Sequence, residues 1–330
     1  MRAIGIIANP HAGKDIRRLV TAATVFNDQE KANIIQRLLL TLDGLDADRI
    51  CMMGDPAGIS ADALRRVKPR LRCVQVEFVP AGQPTGSAVD TRRAVQAMLE
   101  RDCAVIIILG GDGTNRVVAR DCGEVPLIPL STGTNNVFPR MLEATVAAMA
   151  AAITAAGGTP PAGCTRQMPL LELYRAEQLL DVALIDLVVV DEQQLGARAV
   201  WSAAIIRELF LTRALPTDIG FSSIGGCLAP MPADSGMGMH ILLGEPGQRI
   251  VAPIAPGLIQ QLSIRRHERF TPAEPVELET KSGVIALDGE REITIDPTAG
   301  FRVGLNPLGP VVVDVEACLH HGVAAGFFQR

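Results

Sequence analysis

Aromatic side chains are scarce, with one Trp, one Tyr and nine Phe in 330 residues. A chain of this length calls for two cores of ordinary size. With so few rings, those cores must be filled by Ala, Val, Ile and Leu, which suits buried parallel strands covered by helices. Basic residues are outnumbered by acids, the formal charge is −5, and no dense Lys/Arg cluster occurs, so a duplex nucleic-acid footprint is excluded. The seven cysteines contain no C-x-x-C pair and are odd in number, which argues against a closed set of disulfides and points to a reducing cytosol. Most of these thiols are expected to be small core residues.

Long apolar runs are missing as well. The opening MRAIGIIANP has a short apolar run that ends at Asn-Pro, unlike a secretory leader. The Ala-rich run ATVAAMAAAITAA (144–156) falls short of the roughly 20 residues that a spanning helix needs. It reads as an interior or linking helix closed by Gly157 and Gly158. No basic amphipathic stretch offers a membrane-docking face. His320 and His321 have neither the spacing nor the acids of a zinc site, so no transition metal is assigned.

What is present is a regular alternation. IGIIAN (4–9), RICMMG (49–54), RCVQVEFVP (72–80), CAVIIILG (103–110) and VPLIPLS (125–131) read as strands. Between them lie helix-period segments, one capped by Asp28 with Ile34, Ile35, Leu38, Leu39 and Leu42 on its apolar face, another opened by Ser87 and Asp90. This predicts an α/β fold whose first domain, residues 1–145, is a parallel sheet with helices on both faces. After TPPAG (159–163) the texture changes to strand-like runs punctuated by Gly and Pro, which predicts an antiparallel second domain over 146–310. One segment there, WSAAIIRELFLTR (201–213), reads as a helix. The tail over 311–330 can return to the first domain.

Three of the strand ends share a chemistry. The first runs into Asn9-Pro10-His11-Ala12-Gly13-Lys14, the fourth into Gly110-Gly111-Asp112-Gly113-Thr114, and the fifth into Ser131-Thr132-Gly133-Thr134-Asn135-Asn136. In open α/β sheets the carboxyl ends of strands are where ligands bind. Glycines there bring bare N–H groups against an anion, and the helix opening at Asp112 presents its positive end to the same spot. A polyphosphate site accounts for all three ends. A carboxylate among such donors suits Mg²⁺ binding or proton acceptance from an attacking hydroxyl; the plainer alternative is a tight turn whose Asp caps the next helix. His11 reads as a solvated loop residue.

NP-x-A-G, GGDGT and GTNN in this order resemble the NAD kinase and diacylglycerol kinase superfamily. VAPIAPGLI (251–259), VIALDGE (284–290) and ALIDLVVVD (183–191) extend the resemblance into the second domain, on the NAD kinase side and in the ATP-NAD kinase-like branch associated with acetoin catabolism. The resemblance implies a Rossmann-like N-terminal domain with a C-terminal antiparallel β-sandwich. It implies ATP- or polyphosphate-dependent phosphoryl transfer to a hydroxyl of NAD or a related nucleotide, with Mg²⁺, in a cytoplasmic homo-oligomer with small-molecule nucleotide substrates. Carried over by residue, Asp112 and Glu290 are the expected catalytic acids, with Asp112 also the metal ligand. Gly110, Gly111, Gly113 and Thr114 cradle phosphates, while Asn9, Gly133, Thr134, Asn135 and Asn136 line the same site. Asp186, Ser223 and Asp288 complete the nucleotide contacts. For Asp186 an outward acid on a strand, and for Asp288 and Glu290 a hairpin turn, remain the rival readings. Ile185 stands where NAD kinases carry Asn, and Ile224, Gly226 and Leu228 interrupt their T-P-T-G-S-T-A-Y loop. Two further functions are therefore kept: a non-catalytic nucleotide sensor in acetoin catabolism, and a lipid or sphingoid kinase suggested by DGE and GTNN.

Overall fold

The computed structural model describes residues 1–12, 26–79, 85–133, 136–157, 160–191 and 205–329, apart from the side chains of 291 and 292. In the first half, strands β1 (Ile4–Ala8), β2 (Arg49–Met53), β3 (Gln75–Val79), β4 (Val105–Gly110) and β5 (Leu127–Ser131) alternate with helices α1 (Asp28–Gly44), α2 (Ile59–Val67), α3 (Ala88–Glu100), α4 (Asp112–Asp121) and α5 (Ala144–Ala156). The strands lie in the order β3-β2-β1-β4-β5, all parallel. This is the doubly wound arrangement, in which the order reverses between β1 and β4 and opens a crevice at their carboxyl ends.

Both faces of this sheet are covered. Ile4, Ile6, Ile107 and Leu109 pack under α1, α2 and α5, while Ile7, Ile106 and Ile108 pack under α3 and α4. The expected cap of α1 shifts by one residue: Asn27 is the extended residue, and its Oδ1 accepts the amide of Glu30 at 2.8 Å, leaving Asp28 in the first turn. Although the sequence reading placed residues 146–156 beyond the first domain, α5 packs into its core with its alanines buried. Small side chains are what allow this helix to lie between the sheet, α1 and a later helix.

The chain then forms β6 (Thr165–Gln167), β7 (Leu170–Arg175), β8 (Gln178–Ala183), β9 (Asp186–Val190), β10 (Ile206–Leu211), α6 (Ser222–Leu228), β11 (Gly238–Ala255), β12 (Leu258–Phe270), β13 (Val276–Glu277), β14 (Val284–Leu287), β15 (Glu290–Thr294) and β16 (Phe301–Asn306). A six-stranded sheet, β12-β11-β10-β9-β14-β15, faces a four-stranded one, β13-β16-β7-β8. Leu187, Val189, Phe210 and Phe270 from the first meet Leu171, Leu173, Val303 and Leu305 from the second in one core. Of the helix expected around 201–213, residues 201–204 lie outside the described residues, and 206–211 are instead a strand paired on both edges, with Leu209 and Leu211 in one core and Phe210 in the other. Burial on both faces removed the alternation that marks a strand.

Finally β17 (Val311–Val313) pairs with β5 in parallel and with β6 antiparallel, and α7 (Val315–Ala324) packs on α5. All seven cysteines are free thiols, five of them buried. Asp43, at the end of α1, holds the lead into β3: its carboxylate accepts the amides of Arg72 (3.0 Å), Cys73 (2.9 Å) and Val74 (3.0 Å). Burial works against its charge, but these amides outweigh it and hold the carboxyl well below the usual carboxylate range. Because the folded value is depressed, this contribution is full above the unfolded pKa of about 3.9 and is lost as pH falls through the folded one. Asp43→Ala is expected to cost about 2 kcal/mol in urea unfolding at pH 7, and much less at pH 2.

Candidate functional site

The reversal of strand order places the ends of β1 and β4 side by side, and Asn9 N–H donates to the Leu109 carbonyl at 3.1 Å. From Gly110 the chain enters α4 almost at once. A Cβ on Gly110 would lie 2.5 Å from that of Thr114, so only glycine permits so abrupt a strand-to-helix turn. The Asn9 side chain donates from Nδ2 to Thr114 Oγ1 at 2.8 Å and accepts the amide of His11 at 2.8 Å. Asn9 and Thr114 thus tie the first strand end to the glycine turn. His11 is exposed on the rim.

Beneath this loop lies a residue that the sequence reading passed over. Lys31 is fully buried, and its ammonium donates to the carbonyls of Asn9 (3.1 Å), Pro10 (3.1 Å) and Ala12 (2.8 Å). A buried ammonium is tolerated only when its charge is answered this way. The signal was present: Lys31 stands three, four and seven positions before Ile34, Ile35 and Leu38, on the apolar stripe of α1.

Asp112 is the first residue of α4 and half-buried. Its carboxylate accepts the amides of Val137 (3.1 Å) and Phe138 (2.9 Å), fastening the loop after β5 across the glycine turn. Asn136 closes the join, donating from Nδ2 to Ser131 Oγ at 2.7 Å. A Cβ on Gly111 would meet Asn136 Oδ1 at 2.8 Å, and one on Gly133 would meet Asn136 Nδ2 at 3.0 Å. Thr134 and Asn135 lie outside the described residues.

The second domain contributes Glu290. It follows a two-residue turn in which Asp288 (φ 49°) and Gly289 (φ 78°) are both left-handed, as a tight hairpin requires. A Cβ on Gly113 would lie 2.8 Å from Glu290 Oε1, so this carboxylate rests against the opening turn of α4. Asp288 faces the other way. Its buried carboxylate accepts the amides of Leu184 (2.9 Å), Ile185 (2.8 Å) and Asp186 (3.2 Å), and stands 3.9 Å from Arg116 Nε. Burial pushes this carboxyl above its ordinary range, against the pull of the Arg116 guanidinium and the three amides.

Asn9, Gly110, Gly111, Asp112, Gly113, Thr114, Gly133, Asn136 and Glu290 therefore come together. Asp186, Asp288 and Ser223 do not present their side chains in the same way. Asp186 is 7% exposed, and the fully buried Ser223 hydroxyl is turned to the carbonyls of Gly220 (2.6 Å) and Pro253 (3.1 Å). Asp288 ties the hairpin turn to the lead into β9, and Ser223 ties α6 to Pro253, both within the second domain. Among the described residues, no group of three or more His, Cys, Asp or Glu stands together as a metal cluster, and no helix is long and apolar enough to cross a membrane.

Comparison with known proteins bears on this arrangement. Residues 4–158 match the ATP-NAD kinase N-terminal domain, and residues 169–307 match the acetoin catabolism protein X C-terminal domain. Acetoin catabolism protein X of Cupriavidus necator is 36% identical over 96% of this chain and 91% of its own length. An uncharacterized protein of Archaeoglobus fulgidus is 31% identical over 42% of this chain and 36% of its own. Among solved structures, UDP-GlcNAc 2-epimerase from Neisseria meningitidis overlaps weakly, with a TM-score of 0.26 and 9% identity over 38% of this chain and 31% of that one. With both halves matched and a relative aligned along nearly its whole length, the chain belongs to the acetoin catabolism protein X family, whose first domain is of the ATP-NAD kinase type.

Proposed function

We propose that the chain transfers a phosphoryl group from ATP, or another polyphosphate, to a hydroxyl of NAD or a related nucleotide. The observation that carries this reading is the meeting of Glu290 with Gly113. A carboxylate from one domain rests on the positive end of a helix from the other, where a transferred phosphoryl group and an acceptor hydroxyl would have to meet. The backbone N–H groups at the opening of α4 supply fixed donors for the phosphates, and positioning of that kind is most of what phosphoryl transfer needs. Glu290 accepts the proton of the attacking hydroxyl. Asp112 keeps Val137 and Phe138 against the glycine turn, and Lys31 does the same for Asn9, Pro10 and Ala12 after β1.

The space beside Gly110, Gly111 and Gly113 is taken by the side chains of Thr114, Asn136 and Glu290, so the fit to a phosphate-bearing nucleotide rests on the backbone N–H groups at the opening of α4. Were Mg²⁺ bound at the turn, Asp112 and Glu290 would be the carboxylates able to hold it, and it would supply charge neutralisation to the transferred group.

The burial of Ser223 and Asp186 favours a second reading, a nucleotide sensor that keeps the phosphate cradle without an acceptor grip. Both readings are tested by incubating the protein with Mg-ATP or polyphosphate and NAD, following NADP by mass spectrometry, and measuring melting temperature with each ligand. NADP formation is expected. A melting temperature raised by NAD, with no phosphorylated product from either donor, would replace the kinase by the sensor.

A further inference from the structure

We propose that Arg116 is a positioning residue for phosphoryl transfer: by clamping α4 to the second domain it sets the distance between Glu290 and the glycine turn. The proposal rests on the reading of Glu290 as proton acceptor. Arg116 lies one helical turn after Asp112 and is 4% exposed. Its Nη1 donates to Asp181 Oδ2 on β8 at 2.9 Å, and its Nε stands 3.9 Å from Asp288 Oδ2. Arg120, a further turn along the same face, donates to the other Asp181 oxygen at 2.8 Å. Two arginines of the first domain therefore grip one aspartate of the second, and the inner one also faces Asp288.

The consequence runs through the backbone. Asp288 is two residues before Glu290 and in the same tight turn, and its carboxylate is fixed by the amides of residues 184–186. Any movement of α4 away from Asp181 and Asp288 moves Gly113, three residues upstream of Arg116, away from Glu290. Buried charges of this kind are a poor source of net stability, because desolvation cancels most of their attraction, and apolar side chains of similar volume would hold two domains together at least as well. What a guanidinium between two carboxylates provides instead is a fixed direction and separation. Misplacement of a reacting group by about 1 Å costs on the order of 10²-fold in rate, so a clamp here acts on turnover.

The test uses Arg116→Met and Arg116→Lys, with Asp181→Asn as a milder variant should Arg116→Met fold poorly. In each, kcat and KM are measured alongside hydrogen exchange of the Leu184, Ile185 and Asp186 amides. Expected for Arg116→Met is a kcat about 10–100-fold lower with the donor KM within about threefold of the parent, partial rescue in Arg116→Lys, and faster exchange at residues 184–186 while the buried strand β4 stays protected. Turnover and exchange both equal to the parent's would overturn the proposal. So would an equal loss in the Lys and Met variants accompanied by faster exchange throughout the core, the mark of a fold-holding residue alone. If the parent itself yields no phosphorylated product, the kinase reading falls while exchange at 184–186 still decides whether Arg116 clamps this turn.

Discussion

Glu290→Gln is expected to lower kcat for phosphoryl transfer by about 10²–10⁴-fold while changing the donor KM by less than about threefold. Glutamine keeps the length and planarity of the side chain, so the contact with Gly113 and the hairpin turn behind it survive. What is lost is a group able to take a proton. Binding of the phosphates is assigned to backbone N–H groups of the first domain, which the substitution does not touch, so the loss belongs in kcat. Steady-state kinetics with ATP or polyphosphate as donor separates the two constants. A kcat within a factor of two of the parent's would remove Glu290 from the chemistry and leave it as the first residue of a strand. A matched rise in KM would instead make it part of the nucleotide grip.

How far such a site can be read from sequence depends on whether backbone or side chain does the work. The ends of β1, β4 and β5 were legible because glycine and small polar residues after an apolar run report a backbone that must turn sharply, and strand alternation with helices then puts those ends on one edge. The DGE turn was legible for the same reason, since Asp-Gly reports the left-handed pair at 288 and 289. Side-chain direction was not legible. Asp186 and Ser223 occupy positions where a nucleotide contact was expected, yet Asp186 is buried in strand pairing beside Leu211 and Ser223 beneath the Pro253 carbonyl. Nor does a residue pattern disclose charge partners between domains, and so Arg116 and Asp181, 65 positions apart, went unnoticed. Strand β10 was mistaken for a helix because its two faces serve two different cores, a fact about neighbours rather than about Ile206–Leu211 themselves.

Asp112 gives the contrasting case. Alone in a GGDGT motif it reads as the acid that meets the acceptor, but its carboxylate also takes the amides of Val137 and Phe138, each hydrogen bond to a charged acceptor being worth roughly 1.5–3 kcal/mol. Both amides reach Oδ1, and the Val137 N–H is also 3.1 Å from Oδ2, so asparagine at 112 keeps one neutral oxygen for the pair and sets an N–H₂ group against the Val137 N–H in place of the second oxygen. The loop carrying Gly133 and Asn136 is then fastened less tightly to the glycine turn, and phosphates bound between the two are held less well. Asp112→Asn is therefore expected to raise the donor KM about tenfold or more and to lower kcat with it, whereas Glu290→Gln moves kcat alone. Hydrogen exchange is the second readout: the Val137 and Phe138 amides should exchange about ten- to a hundredfold faster in Asp112→Asn and at the parental rate in Glu290→Gln. A kcat loss at unchanged KM, with both amides still protected, would return Asp112 to direct contact with the reacting groups. In that event the amides of the loop would be held by the rest of the fold, and the carboxylate would be available to the substrate.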